Sequence, residues 1–196
     1  MKYAPMKATL TVVVCVAGVT LTGCTSTNGG TPGPTSATTS QSPSNAPGAP
    51  KVTHPKNLAA NSDSCQLLTE QQRRQLGVQG TSKTEQTPWG QTACGWRSDN
   101  GSMTLAPDTK TGKGLSQLYQ HKDNFSDFTA IVVDGYPAVT TDKSKSSCAL
   151  DLGVSDSQYL SLSAYIARPA ELGFQDPCLF AQKAASLVLG NLPAGQ

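Results

Sequence analysis

A chain of 196 residues has room for one ordinary domain plus attachments, and this one is 37% hydrophobic yet only 14% charged. Ser, Thr, Gly, Pro, Asn and Gln fill the gap, and they are concentrated in one stretch rather than spread along the chain. The formal charge is +2, and with Lys2 and Lys7 lying in a leader that is removed, thirteen basic and thirteen acidic groups remain. Such a balance does not suit a protein that grips a phosphate backbone with many Lys and Arg side chains, so no nucleic-acid partner is expected.

The chain opens as an export signal. Lys2 and Lys7 form a positive start, and residues 8–22 are an uncharged, mostly apolar run of fifteen. A bilayer core needs about 20 apolar residues, so this run fits a secretory leader over 1–23 rather than a membrane span. Leu21-Thr22-Gly23-Cys24 reads as a lipobox. Cysteine is required there because its thiolate takes up the diacylglyceryl group as a thioether, and small residues ahead of it give the peptidase access to the backbone. Cys24 is therefore the expected lipidation site, while Cys15 lies inside the leader and leaves with it. Two acyl chains make a stable anchor where one gives only marginal binding. The expected location is the extracytoplasmic face of a bacterial cell membrane, with the lipid anchor as the membrane contact.

Residues 24–60 then read as the lipidated cysteine and a disordered tether. From residue 25 to residue 50 every residue except Asn28, Gln41 and Asn45 is Ser, Thr, Pro, Gly or Ala. Nothing in that composition offsets the entropy of ordering the chain. A coil of about 36 residues reaches roughly 30–36 Å, enough to hold a domain off the membrane. The same composition suits a glycosylated stalk. His54 falls in this tether and reads as a solvated side chain.

Residues 61–196 carry Cys65, Cys94, Cys148 and Cys178, an even number in an exported domain and hence a disulfide framework. A zinc site of four cysteines shows close CxxC pairs, and these gaps all exceed 25 residues, so no metal is expected. Thr69 and Gln72 form a capping box before a helix over 70–76, which Gly77 ends. Strands at 94–98 and 103–105 flank Asn100-Gly101, a strong two-residue hairpin signal, and that register sets Trp96 opposite Leu105. Leu115, Leu118 and Tyr119 have helical spacing. A strand over 129–133 continues past Asp134-Gly135 toward Val139. Strict alternation follows at Cys148, Leu150, Leu152 and Val154, and again at Leu160, Leu162, Ala164 and Ile166. Asp176 caps a last helix that begins at Pro177 and carries Ala181, Ala185, Val188 and Leu192 on one face.

This order predicts an α+β domain, a largely antiparallel sheet of about five strands with helices packed on one face and two disulfides. Alternation sets Cys148 on the core face with Leu150, where the last helix would bring Cys178. It likewise sets Cys94 beside Trp96, within reach of Cys65 ahead of the first helix. The favoured pairs among three alternatives are 65 with 94 and 148 with 178, each closing a loop of about 30 residues worth roughly 3.5 kcal/mol in the chain-entropy model.

The run Cys65-Gln66-Leu67-Leu68-Thr69, Cys94-Gly95-Trp96, the segment 133–139, Cys148 and the closing Asp176-Pro177-Cys178 resemble an actinobacterial family of envelope lipoproteins of unknown function. The resemblance covers residues 61–196 and implies an envelope location without an established catalytic set. The domain is also loosely similar to extracellular sensor domains of actinobacterial receptor kinases, from which no function transfers because this chain has no kinase part.

Chemistry is sparse. His121 is the only histidine after residue 60 and reads as an exposed helix end. No G-x-S-x-G, phosphate-loop or H-E-x-x-H motif occurs in the chain. Asp123 and Asp127 share one face if a helix spans them. Trp89 sits in a loop, either as a ligand platform or folded back on the core. Tyr159 and Tyr165 fall with Ser161 and Ser163 on the strand face opposite the aliphatic set, a face open to solvent or to a partner. The expectation is a non-enzymatic envelope protein that binds a cell-wall ligand or an envelope protein, with no catalytic residue and no cofactor implied. The alternatives are a carboxylate-based cell-wall glycan hydrolase and a structural accessory of a surface complex. A convergent pocket with a perturbed carboxylate would point to the enzyme, and a broad tyrosine-rich surface to binding.

Overall fold

The computed structural model describes residues 48–195. The leader, the lipobox, Cys24 and the tether as far as residue 47 lie outside the described residues. A seven-stranded antiparallel sheet, in the order β1-β2-β3-β7-β6-β5-β4, forms the domain. Its strands are β1 (Ser82–Gln86), β2 (Thr92–Arg97), β3 (Gly101–Asp108), β4 (Phe128–Val133), β5 (Tyr136–Thr141), β6 (Ser147–Gly153) and β7 (Tyr159–Ile166). The helices are α1 (Glu70–Gln75), α2 (Ser116–Gln120), α3 (Pro169–Leu172) and α4 (Pro177–Asn191).

Seven strands replace the expected five for two reasons. All residues of β1 are exposed, so its sequence Ser-Lys-Thr-Glu-Gln lacks the alternation that marks a half-buried strand. The segment 129–139 is a hairpin, not one strand. Asp134 (φ 48°) and Gly135 (φ 84°) take the positive φ that a two-residue type I′ turn requires, and Val133 pairs with Tyr136 across it. Asn100-Gly101 is not such a turn. Trp96 pairs with Met103 and Cys94 with Leu105, so Asp99 and Asn100 form the loop and Gly101 is the first residue of β3. Glycine serves there for close strand approach, since a Cβ on Gly101 would lie 2.5 Å from the Tyr165 carbonyl oxygen. The slip is by two in the pairing sum, so Cys94, Trp96, Met103 and Leu105 stay on one face.

On that face α4 covers β6 and β7. Leu105, Leu162 and Leu150 stand opposite one another in successive strands, all with no exposure. Asp176 caps α4 by accepting from the Cys178 N–H at 2.7 Å, with Pro177 at the first position. The Thr69–Gln72 capping box of α1 is complete at 3.2 and 2.8 Å. Gln72 also bonds Asn191, at the C-terminal end of α4, in both directions. Disulfides join Cys65 to Cys94 and Cys148 to Cys178. One ties the turn before α1 to β2, and the other ties the first turn of α4 to β6.

Two further expectations are corrected. The folded domain does not start at residue 61. Leu58 is buried, Lys56 forms a bridge with Ala194, and the Lys56 and Leu58 N–H groups donate to the Val154 carbonyl and the Gln158 side chain. Lys51 pairs with Asp156, and Ala49 packs against the cluster of Leu115, Leu118 and Tyr159, so the segment ahead of residue 60 belongs to the folded domain. His54 is exposed but belongs to this ordered strap, and its carbonyl accepts from the Tyr136 hydroxyl. Nor do the helices share one face. Leu115 and Leu118, at the start of and within the α2 turn, pack with Tyr159 on the opposite side of the sheet.

Candidate functional site

The second face is polar by sequence and is covered around Tyr159 and Asp151, while Ser163 and Tyr165 stay exposed. Register places Ser161 opposite Asp151, and Asp151 opposite Val139, with Tyr159, Ala149 and Thr141 on adjoining rungs. The α2 segment crosses over them. Leu115 rests on Gly153, where a Cβ would come within 2.9 Å of its side chain, so the close approach requires glycine. Gln117 Nε2 donates to the Tyr159 hydroxyl at 2.9 Å. At the other side stands Trp89, in the loop that joins β1 to β2. Gly90, at φ 73°, lets that loop close, Gln91 holds it to Thr109, and the indole N–H donates to the Pro107 carbonyl at 2.8 Å.

Between Trp89, α2 and the strands lies a cavity of about 390 Å³. Asp151 and Ser161 line its floor, Trp89, Tyr159, Phe125 and Leu118 its walls, and Lys113, His121 and Asp142 are among the other lining residues. Trp89 and Tyr159 have ring centroids 6.4 Å apart at a tilt of 43°. The volume is within the small-molecule range, and the lining joins apolar walls to a few convergent polar groups.

Asp151 is the unusual residue. It is 6% exposed, and burial pushes its carboxyl up to about 6, while the Ser161 hydroxyl draws it back down and the Asp142 carboxylate adds to the rise. Among the described residues the ion pairs are Lys51–Asp156, Arg74–Glu70 and Lys143–Asp176, and none includes Asp151. Burial also raises the Tyr159 hydroxyl, helped by the Asp151 and Asp108 carboxylates and opposed by the Gln117 hydrogen bond. Asp108, fully buried, accepts from the Lys110 and Thr111 N–H groups and from the Thr111 hydroxyl. Asp142 adopts φ 51° at the end of β5 and accepts from the Ser126 hydroxyl at 3.1 Å.

The structure gathers some of the singled-out residues and disperses others. Trp89 is anchored by its N–H on the Pro107 carbonyl and its ring walls the cavity. Tyr159 is buried, contrary to the expectation of an open tyrosine face, because α2 covers it, whereas Tyr165 is 47% exposed. His121 is exposed at the mouth of the cavity. Asp123 and Asp127 do not share a helical face, because α2 ends at Gln120 and Asp127 instead accepts from the Lys143 N–H. Asp151 went unnoticed in the sequence, where Ala149-Leu150-Asp151-Leu152 reads as an ordinary strand with its acid toward water. Among the described residues no three His, Cys, Asp or Glu side chains gather as a metal site. No helix there is long and apolar enough to cross a membrane.

Residues 19–191 match a family described as a protein of unknown function, DUF3558. The chain belongs to that family. The match takes in all seven strands and the whole cavity lining, so the covered second face lies within the family's own span. No curated protein and no solved structure matches the chain.

Proposed function

We propose that this is a lipid-anchored binding protein of the actinobacterial envelope, held at the extracytoplasmic membrane face by a diacylated Cys24 and presenting the Asp151 cavity to a small ligand. The lipobox and leader support the anchor, and the two disulfides fit an oxidising compartment. The observation that carries the binding reading is a buried carboxylate, without a basic partner in the domain's ion pairs, on the floor of an aromatic-walled cavity of small-molecule size. A ligand with an apolar body fills the walls while a polar group meets Asp151.

A second reading has its own support. A carboxyl raised to about 6 with a second carboxylate acting on it is the kind of pairing that glycan hydrolases use. Binding is preferred because Asp142 is exposed and engaged by Ser126, while Asp151 lies on the cavity floor, which is not two carboxyl groups flanking an open polymer cleft. The test uses the mature chain carrying Cys24→Ser, screened against small cell-wall and envelope metabolites by Trp fluorescence. A saturable change that is lost in Trp89→Phe supports binding. Peptidoglycan turnover that Asp151→Asn abolishes without unfolding the protein replaces binding with hydrolysis. In cells, Cys24→Ala releases the protein from membranes or blocks its processing, and unchanged retention and mass defeat the anchor.

A further inference from the structure

We infer that the cavity selects an organic cation, a protonated amine on a small aromatic or aliphatic body, with Asp151 as its counter-ion. The inference rests on the reading of the cavity as a ligand site and names the ligand class.

An ionised carboxylate is costly to bury without a partner of opposite charge. Asp151 has in place of such a partner only the hydrogen bond of the Ser161 hydroxyl, and the one further charge acting on it is acidic. Asp142 contributes from the end of β5, and Asp108 from β3 acts on Tyr159, the neighbour of Asp151 on β7. The basic groups on the lining, Lys113 and His121, come from the α2 segment and are exposed at the mouth. The floor therefore favours positive charge, and an anionic ligand would face the Asp151 carboxylate there. The walls point the same way. A cation within about 6 Å of a tryptophan or tyrosine ring face is attracted by the ring quadrupole, and Trp89 and Tyr159 stand close together on this lining. About 390 Å³ is ample for an arylalkylamine.

The alternative is a neutral ligand that accepts a hydrogen bond from protonated Asp151, and pH separates the two. An amine needs the ionised carboxylate, so its affinity falls by about tenfold between pH of about 7.5 and 5, a range in which the amine itself stays protonated. A neutral acceptor gains affinity over the same interval.

The experiment is calorimetric titration of the mature Cys24→Ser chain with phenethylamine, its neutral N-acetyl derivative and phenylpropionate. The expected result is binding of phenethylamine at least tenfold tighter than either other probe at neutral pH, weakening on acidification, with the preference lost in Asp151→Asn. The amine-to-amide ratio and the pH profile of the unsubstituted site need no variant, so a misfolded Asp151→Asn does not decide the matter. The N-acetyl probe binding as well as the amine overturns the cation while leaving the pocket reading intact. Binding by none of the three overturns the inference and counts against the pocket. A pH dependence that disappears in His121→Gln and survives in Asp151→Asn also overturns it, by moving the titration to the mouth.

Discussion

On the face that α4 covers, Leu105, Leu150, Leu160 and Leu162 have no exposure, and their neighbours are other apolar side chains. On the opposite face the same strands present Ser161, Asp151 and Tyr159 to a short helix and a tryptophan loop. The first face is a packed interior held further by the Cys148–Cys178 bridge to α4. The second is covered only around Tyr159 and Asp151, where a cavity remains with a carboxylate inside it. A stabilising core has no use for an ionised group, so the contrast marks the second face as the place where folding stability and site chemistry diverge.

The largest expected effect separates the faces by packing. Leu162→Ala, at the centre of the α4 face, should lower unfolding stability by about 2–5 kcal/mol, while Ser161→Ala beside it on the other face should cost far less. Chemical denaturation of both variants checks this, and equal losses would erase the distinction. Replacing Cys148 and Cys178 together by Ala should cost about 3 kcal/mol, read by the same denaturation series.

The next effect has the opposite sign. Because the folded Asp151 carboxyl titrates near 6 and an unfolded one near 3.8, the native state holds the proton more firmly. The stability from that proton is fully present below pH of about 4 and lost as pH rises through about 6. Asp151→Asn should therefore stabilise the ligand-free protein at neutral pH by up to about 3 kcal/mol, with the gain vanishing near pH 4. Denaturation of both proteins at the two pH values checks it, and a variant that is destabilised at neutral pH would mean that Asp151 is ionised and already well paired. Smallest, Gln117→Ala removes the hydrogen bond to Tyr159 and should cost about 1 kcal/mol, with a larger change in ligand affinity than in thermal midpoint.

The first face was legible because it obeys period-2 alternation. Leu150 to Val154 and Leu160 to Ile166 set which residues face the core, and parity puts Cys94 and Cys148 on that face, where Cys65 ahead of α1 and Cys178 at the start of α4 meet them. The second face was not, for a physical reason. A polar residue on alternate positions signals water unless something covers it, and the cover, a five-residue α2 and the Trp89 loop, has too little pattern to announce where it docks. The β1 edge was lost similarly, since a strand exposed on both faces has no hydrophobic period. The strap ahead of residue 61 was missed because it buries one leucine, Leu58, rather than a periodic stripe.

The most direct measurement follows the Asp151 carboxyl carbon by NMR through a pH titration, in the free protein and with saturating phenethylamine. A midpoint near 6 in the free protein, falling when the amine occupies the cavity, is the result expected of a buried carboxylate awaiting a cation. A midpoint in the ordinary carboxylate range without ligand, or one that the amine leaves unmoved, would contradict it.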